Sequence, residues 1–250
     1  MSAAAHLAFF LIVCGAAAGS FLCAWADRLV HGESIVSPPS RCRCCGTRIG
    51  WLDKVPVFSW LWLAGKCRTC GAKIPKQVFY CELAGVALAV VAVWVAQSPM
   101  HMALGAIWLW TLMGLMVCDL SVFRLPDALT GLLLMTGFGL AWEDPGRDLA
   151  GAFIGAGVGA GVFLALRIAY RALRGREGLG LGDVKMMAGI GAGLGAMALP
   201  VVTLTAAVLA LGVALLGAVW RGARPGGDQA IAFGAYLALA AALVWVWPAV

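Results

Sequence analysis

Two aspartates carry the first chemistry this chain offers. Asp183 closes the run Gly180 to Asp183, GLGD, where a charged loop enters an apolar, glycine-rich stretch, and Asp119 ends another apolar stretch. A carboxylate at membrane depth costs several kcal/mol, so a pair of them is read first as functional. Two carboxyls held about 3 Å apart share a single proton, because like charges disfavour the second ionisation; one then acts as acid while the other activates water. A second set of reactive residues is sulfur. Cys42 and Cys45 form one C-x-x-C and Cys67 and Cys70 another, each followed by glycine, Gly46 and Gly71. Two such knuckles about twenty residues apart have the spacing of a tetrahedral zinc site with four cysteine ligands.

The elements that must position these groups are helices in a bilayer. The chain has 250 residues, 62% hydrophobic and 12% charged, with a mean hydropathy of +0.93, too apolar for a soluble globule and too long for one span. The reading is an all-α polytopic membrane protein embedded in a lipid bilayer. Apolar segments of about 17 to 22 residues suit a hydrocarbon core roughly 30 Å thick. They fall at about 4–25, 78–97, 101–119, 126–142, 149–170, 183–199, 199–220 and 229–249. That is about eight transmembrane helices, or seven if the two meeting near Pro200 are one long kinked helix.

Basic residues give the orientation, since short loops rich in Lys and Arg stay cytoplasmic. Of the 18 Lys and Arg, nine lie between Arg28 and Lys76. With the first helix running inward, Arg124, Arg167, Arg171, Arg174, Arg176, Lys185, Arg221 and Arg224 fall on the same side, and only Arg147 lies opposite. Asp119 then ends an inward-running helix and Asp183 begins an outward-running one, so both carboxyls lie at the cytoplasmic face. The net charge of +6 is a topology signal and suits an anionic leaflet; no nucleic-acid partner is expected. The first apolar segment lacks a basic n-region and a good cleavage site and reads as a retained helix. Glycines recurring at Gly151, Gly155 and Gly159, and at Gly191 and Gly195, read as close helix packing. No strand precedes them, so they are not a nucleotide loop.

The chain divides at sequence level into a first helix (1–25), a small cysteine-bearing insert (26–77) and a membrane domain (78–250). About fifty residues rich in Pro, Gly and Cys cannot build a large core, so something else must hold the insert together. Two disulfides or unrelated thiols are the alternatives to zinc, and a reducing cytosol disfavours disulfides. Cys44 breaks the symmetry of the first knuckle, but only Cys42 and Cys45 reproduce the spacing and trailing glycine of the second. Cys14, Cys23, Cys81 and Cys118 sit in or beside spans, as small packing residues.

Taken in order, these residues resemble the bacterial type IV prepilin peptidases. The match includes GSFL (Gly19 to Leu22) with Arg28 and Leu29, both cysteine knuckles, and Trp51, Asp53, Pro56, Ser59 and Trp60 between them. It continues through Glu82, through Asp119 with Pro126 and Asp127, and through Glu177 with GLGDVK (Gly180 to Lys185). The resemblance implies an aspartic endopeptidase of the bacterial inner membrane that removes the basic leader of prepilins and pseudopilins at the cytoplasmic face. It also implies N-methylation of the new amino terminus from S-adenosylmethionine. Carried over, the catalytic aspartates are Asp119 and Asp183 and the zinc ligands are Cys42, Cys45, Cys67 and Cys70. Where the family has asparagine and aliphatic residues after GSFL, this chain has Cys23, Ala24 and Trp25, and Val30 replaces a proline; these departures bear on methylation more than on cleavage.

Asp127, Glu82 and Glu177 also fall near the expected cytoplasmic face. Each suits a helix start, where the dipole favours a carboxylate, but Glu82 lies deeper than a cap requires and is the candidate for binding S-adenosylmethionine. Arg124, Arg176 and Lys185 read as leaflet anchors. Gly178, Gly180 and Gly182 would allow a tight helix entry and close approach of a substrate backbone. Two other function classes compete: an ion- or proton-coupled transporter using the aspartates as a relay, and a zinc-bearing membrane scaffold. The first requires carboxylates near the midplane and an internal repeat, neither of which the sequence has. The second leaves unexplained why two acids converge beside a glycine-rich entry.

Overall fold

The computed structural model describes residues 2–37, 39–176, 178–221 and 231–247, so that Glu177 and Arg224 lie outside the described residues. Their regular structure is helical, with α1 (Ala3–Val30), α2 (Phe58–Trp62), α3 (Lys76–Val95), α4 (Pro99–Val122), α5 (Asp127–Glu143), α6 (Leu149–Arg174), α7 (Leu181–Leu194), α8 (Leu199–Arg221) and α9 (Phe233–Val246). Extended pairing among them is confined to two isolated bridges, Arg41 with Arg48 and Lys66 with Lys73. The chain forms two compact units, Met1–Trp110 and Thr111–Val250.

Each of the eight expected apolar segments contains a helix. Among the described residues, five stretches are long and apolar enough to cross a membrane: α1, α3, α4, α6 and Ala196–Trp220, which holds nearly all of α8. The other three helices are shorter, with 17 residues in α5 and 14 each in α7 and α9. At 1.5 Å per residue a 14-residue helix spans about 21 Å, less than the hydrocarbon core. Near Pro200 the chain is broken, not merely bent. Gly195 takes φ +85°, and a 3-10 turn at Ala196–Ala198 separates α7 from α8.

In the first unit α1 lies along α3. A Cβ on Gly15 would strike the Gly85 carbonyl, and one on Gly19 the Cys81 carbonyl. The glycine of the GSFL motif is therefore a point of backbone-to-backbone contact. The Trp110 indole N–H donates to the Gly85 carbonyl (2.9 Å). In the second unit α7 packs against both α5 and α6. It is lined by Val184, Met186, Met187, Ile190 and small residues, all buried. Gly155 and Gly191 press on each other's backbone, and Gly159 meets the Met187 carbonyl. Packing thus accounts for Gly155, Gly159 and Gly191. Gly151 instead lies beside the Asp148 carboxyl that caps α6, and Gly195 makes the break.

This geometry sets up a controlled test on one helix. Gly155→Val drives a side chain into the α7 backbone and should destabilise the unit by about 1–3 kcal/mol or more. Gly157→Val, two residues on, enters open space and should leave the melting temperature unchanged. Equal melting of the two variants in detergent would contradict the packing.

Arg147, the one basic residue that the loop-charge pattern leaves apart, turns its guanidinium onto the last carbonyls of α7. It donates to Ala192 (2.8 Å) and to Gly193. A cation at a helix C-terminus satisfies carbonyls that have no partner in the helix. This arginine therefore has a structural reason to stand outside the charge bias.

Candidate active site and metal centre

Asp119 lies in the last turn of α4 and is 6% exposed; Asp183 lies in the first turn of α7 and is half-buried. Local structure fixes both ends. After Asp119, α4 stops at Phe123, which has φ +53°, unusual for an aromatic residue. Leu125 then packs against Gly182, where a Cβ would lie 2.8 Å from the Leu125 Cβ. Asp183 accepts the Gly180 N–H on Oδ2 at 3.2 Å, closing the first turn of its own helix. Asp119 accepts, on Oδ2, the N–H of Ala235 from the first turn of α9 (2.9 Å). A Cβ built on Gly234 would lie 2.9 Å from Asp183 Oδ1 and 3.0 Å from Asp119 Oδ2. Both oxygens sit within 3.0 Å of one point, so they are separated by less than twice that distance. Residues 64 positions apart in sequence thus present their carboxyls to one spot.

The neighbouring charged groups pair with each other. Asp127, the first residue of α5, stands in the first turn of its helix as expected and also accepts from Lys185 Nζ at 2.6 Å. Lys185 is therefore an intramolecular partner as well as a basic group at a helix start. The glycines of the entry loop are also partly spoken for. A Cβ on Gly178 would enter the Tyr170 ring and one on Gly182 would meet Leu125. Their missing side chains are filled by this chain's own residues, and of the three only Gly180 faces nothing but the Asp183 carboxyl and the loop backbone.

The cysteine insert holds two knuckles of matching geometry. Cys42 N–H bonds to the Thr47 carbonyl (2.9 Å) and Gly46 N–H to the Cys42 carbonyl (3.0 Å). Cys67 and Ala72 (2.8 Å), with Gly71 and Cys67 (2.9 Å), repeat the pattern. Both closing glycines have φ near +70°, where a Cβ is disfavoured. The ligand atoms of Cys42, Cys45, Cys67 and Cys70 all lie within 4.8 Å of one another, and Cys42 and Cys70 Sγ are 3.8 Å apart. A tetrahedron with metal–sulfur bonds of about 2.3 Å has sulfur–sulfur edges of about 3.8 Å. The donor set fits a four-thiolate metal site, and Cys44 is not part of it. The Thr47 hydroxyl beside Cys45 Sγ (3.3 Å) lowers that thiol's pKa, while desolvation and the neighbouring sulfurs push Cys70 up, as expected of thiols sharing protons at close range.

The arginine following the first cysteine of each knuckle ties it to its surroundings. Arg43 bridges Asp27 of α1 and Glu33, whose carboxyl it holds below the usual range. Arg68 does the same to Asp53, in the 3-10 turn at Leu52–Lys54. These pairs are exposed and position the knuckles more than they stabilise them.

Glu82, on α3, is 4% exposed and accepts the Val57 N–H at 2.7 Å. Val57 has φ +64° and ψ −57°, with Phe58 N–H bonded to the Pro56 carbonyl (2.7 Å). That is a γ-turn in its strained form, centred on a β-branched residue. One helical turn before Glu82, Phe79 stacks on Trp60 with ring centroids 4.6 Å apart. The Trp60 Nε1 is buried without a hydrogen-bond partner in the structure. Sequence reading singled out Glu82 and Trp60 but not Val57, and it missed Gly234 and Ala235 entirely. A glycine within an Ala-rich helix start carries no signal until a distant carboxyl is known to lie against it.

The aspartate pair, the thiolate cluster and their order along the chain are the features to set beside known proteins. Residues 13–96 match the family model of the bacterial peptidase A24 N-terminal domain, and residues 103–215 that of the type IV leader peptidase family. A protein of Dichelobacter nodosus named prepilin leader peptidase/N-methyltransferase is 34% identical over 237 residues, 90% of this chain and 81% of the relative. Proteins of the same name from Aeromonas hydrophila and Pectobacterium carotovorum subsp. carotovorum are each 37% identical. The first covers 86% of this chain and 73% of the relative, the second 81% and 72%. No solved structure matches. With the two models lying end to end and the relatives aligning across most of its length, this chain belongs to the bacterial type IV leader peptidase family.

Proposed function

We propose that this chain is a prepilin leader peptidase that cleaves with Asp119 and Asp183 and then N-methylates the exposed amino terminus. The observation that carries the reading is the convergence of the two carboxyls beside Gly234, from the end of one helix and the start of another. In the proposed reaction one carboxylate takes a proton from water as the water oxygen bonds to the scissile carbonyl carbon. The other carboxyl gives its proton to the carbonyl oxygen. As the carbon–nitrogen bond breaks, the carboxyl that took the proton from water passes it to the departing amine, and a hydroxyl of the tetrahedral intermediate returns its proton to the other carboxylate as the carbonyl re-forms, so the pair again holds one shared proton. This is hydrolysis, with water consumed and no other reactant.

The substrates are prepilins and pseudopilins. The centre lies at the cytoplasmic face of the inner membrane, within the 78–250 domain, and the helices make about eight crossings, with α5, α7 and α9 as the short ones. Cys42, Cys45, Cys67 and Cys70 hold a structural zinc that staples the 26–77 insert. S-adenosylmethionine, when bound, supplies the methyl group for the new amino terminus. Glu82 and the unpartnered Trp60 indole N–H are the acceptor and donor we assign to its site, with the Trp60–Phe79 stack as an aromatic platform.

One assay tests the whole reading: purified protein with a prepilin and S-adenosylmethionine, followed by the mass and N-terminus of the product. A cleaved, singly methylated pilin is the expected result, and an uncut prepilin with folded protein contradicts it. Glu82→Gln separates the second activity. The amide oxygen still accepts the Val57 N–H, but the charge is gone, so methyl transfer should fall about tenfold or more while cleavage is retained. If both activities fall together, Glu82 only fastens the insert to α3. Unmethylated product from wild-type protein with ample cosubstrate would mark a peptidase without the second activity.

A further inference from the structure

Two carboxyls account for the hydrolytic chemistry proposed above, yet a third segment reaches both. The first turn of α9 brings the Ala235 N–H to Asp119 Oδ2 (2.9 Å) and sets the Cα of Gly234 against both side chains. Ala235 is 116 residues from Asp119 in sequence and both are buried; its N–H also reaches the Ala232 carbonyl of its own turn (3.2 Å), and the shorter of the two bonds is the one to the distant carboxyl. The missing Cβ of Gly234 would stand 2.9 Å from Asp183 Oδ1, 3.0 Å from Asp119 Oδ2 and 3.1 Å from Leu125 Cδ1. Those separations are tighter than ordinary van der Waals contact in three directions at once. Gly234 has no positive φ to explain it, so the need for glycine here comes from the neighbours and not from its own backbone.

We infer that the first turn of α9 is the positioning element of the centre: the Ala235 N–H fixes the rotamer of Asp119, and the bare Cα of Gly234 lets the two carboxyls close on each other. This rests on the reading of Asp119 and Asp183 as the catalytic pair. Gly234 and Ala235 touch no reacting atom in this scheme. They act through the aspartates, and their loss should slow the chemical step while leaving peptide binding alone.

The test is steady-state cleavage of a prepilin by the full-length protein in lipid, with kcat and KM measured separately and thermal melting recorded for each variant. Gly234→Ala should lower kcat about 100-fold, the scale expected when reacting groups are displaced by about 1 Å, with KM unchanged. Ala235→Pro removes the N–H with both of its bonds and turns the ring Cδ toward Asp119 Oδ2, at a first-turn helix position where proline is tolerated; it should lower kcat comparably, while Ala235→Gly keeps the donor and should stay active. Gly212→Ala, in open space on α8, is the steric control. Wild-type kcat in both Gly234→Ala and Ala235→Pro overturns the inference, as does a rise in KM alone. Failure of both variants to fold also overturns it, since a positioning role leaves the fold intact; if only one misfolds, the other decides. Asp119→Asn and Asp183→Asn run alongside. If they remain active the catalytic reading itself falls, whereas inactive aspartate variants beside active α9 variants remove only this inference.

Discussion

Asp119→Asn and Asp183→Asn each abolish leader cleavage, with loss of roughly 10³-fold or more in kcat, since each removes a group that must take or give a proton. Asparagine is the informative replacement. Its carbonyl oxygen can still accept the Ala235 N–H at position 119 or the Gly180 N–H at position 183, so local geometry survives and only the ionisable group is lost. Alanine variants should fail as completely but say less, because they also remove those bonds. The measurement is the rate of leader release from a prepilin by purified protein, with folding checked by melting and size exclusion. A folded Asn variant that cuts at the wild-type rate would sink the assignment of catalytic aspartates. Methyl transfer to a supplied pre-cleaved pilin should persist in both variants, because it acts at a different bond and needs different groups.

The second large effect is on the insert. Wild-type protein should carry one zinc per chain, and Cys42→Ser, Cys45→Ser, Cys67→Ser or Cys70→Ser should each lose it, whereas Cys44→Ser keeps it. Structural zinc contributes about 10–16 kcal/mol to small metal-folded domains, as much as or more than the whole stability of an ordinary domain. The insert has nothing comparable of its own. Cys42, Cys45, Cys67 and Cys70 are at most partly buried, and Trp51, Phe58 and Trp62 are exposed. Metal loss should therefore open residues between α1 and α3 to protease while the helices stay protected. Retention of metal by Cys42→Ser together with its loss from Cys44→Ser would show the ligand register to be wrong. A wild-type mass lower by two hydrogens for each of two bridges would show disulfides instead.

Membrane class and family were legible because they depend on composition and short-range spacing. Hydrocarbon tolerates only structures whose backbone is satisfied internally, and runs of this length without polar alternation suit helices, so the apolar runs alone located every long helix to within about five residues. The knuckles were legible for a similar reason: C-x-x-C-G is a local geometry, closed by its own backbone bonds and a glycine at positive φ. The helices that cross by length were less so, because an apolar run does not show where a backbone breaks. Gly195 and the 3-10 turn after it cut α7 to 14 residues, and the turn reflects how that helix meets α6 and Arg147, which no window of sequence contains.

By itself, the sequence singled out the candidate residues: Asp119 and Asp183 at the ends of apolar runs, and four cysteines in two matching knuckles. Tertiary structure alone decided how they meet. The two carboxyls come together beside Gly234, Asp119 accepts an N–H from a residue 116 positions away, and Glu82 accepts one from a strained turn in the insert. The reason is one of range: helix formation and knuckle closure are set by neighbours in sequence, whereas the placement of a buried carboxyl is set by whichever distant backbone group satisfies it.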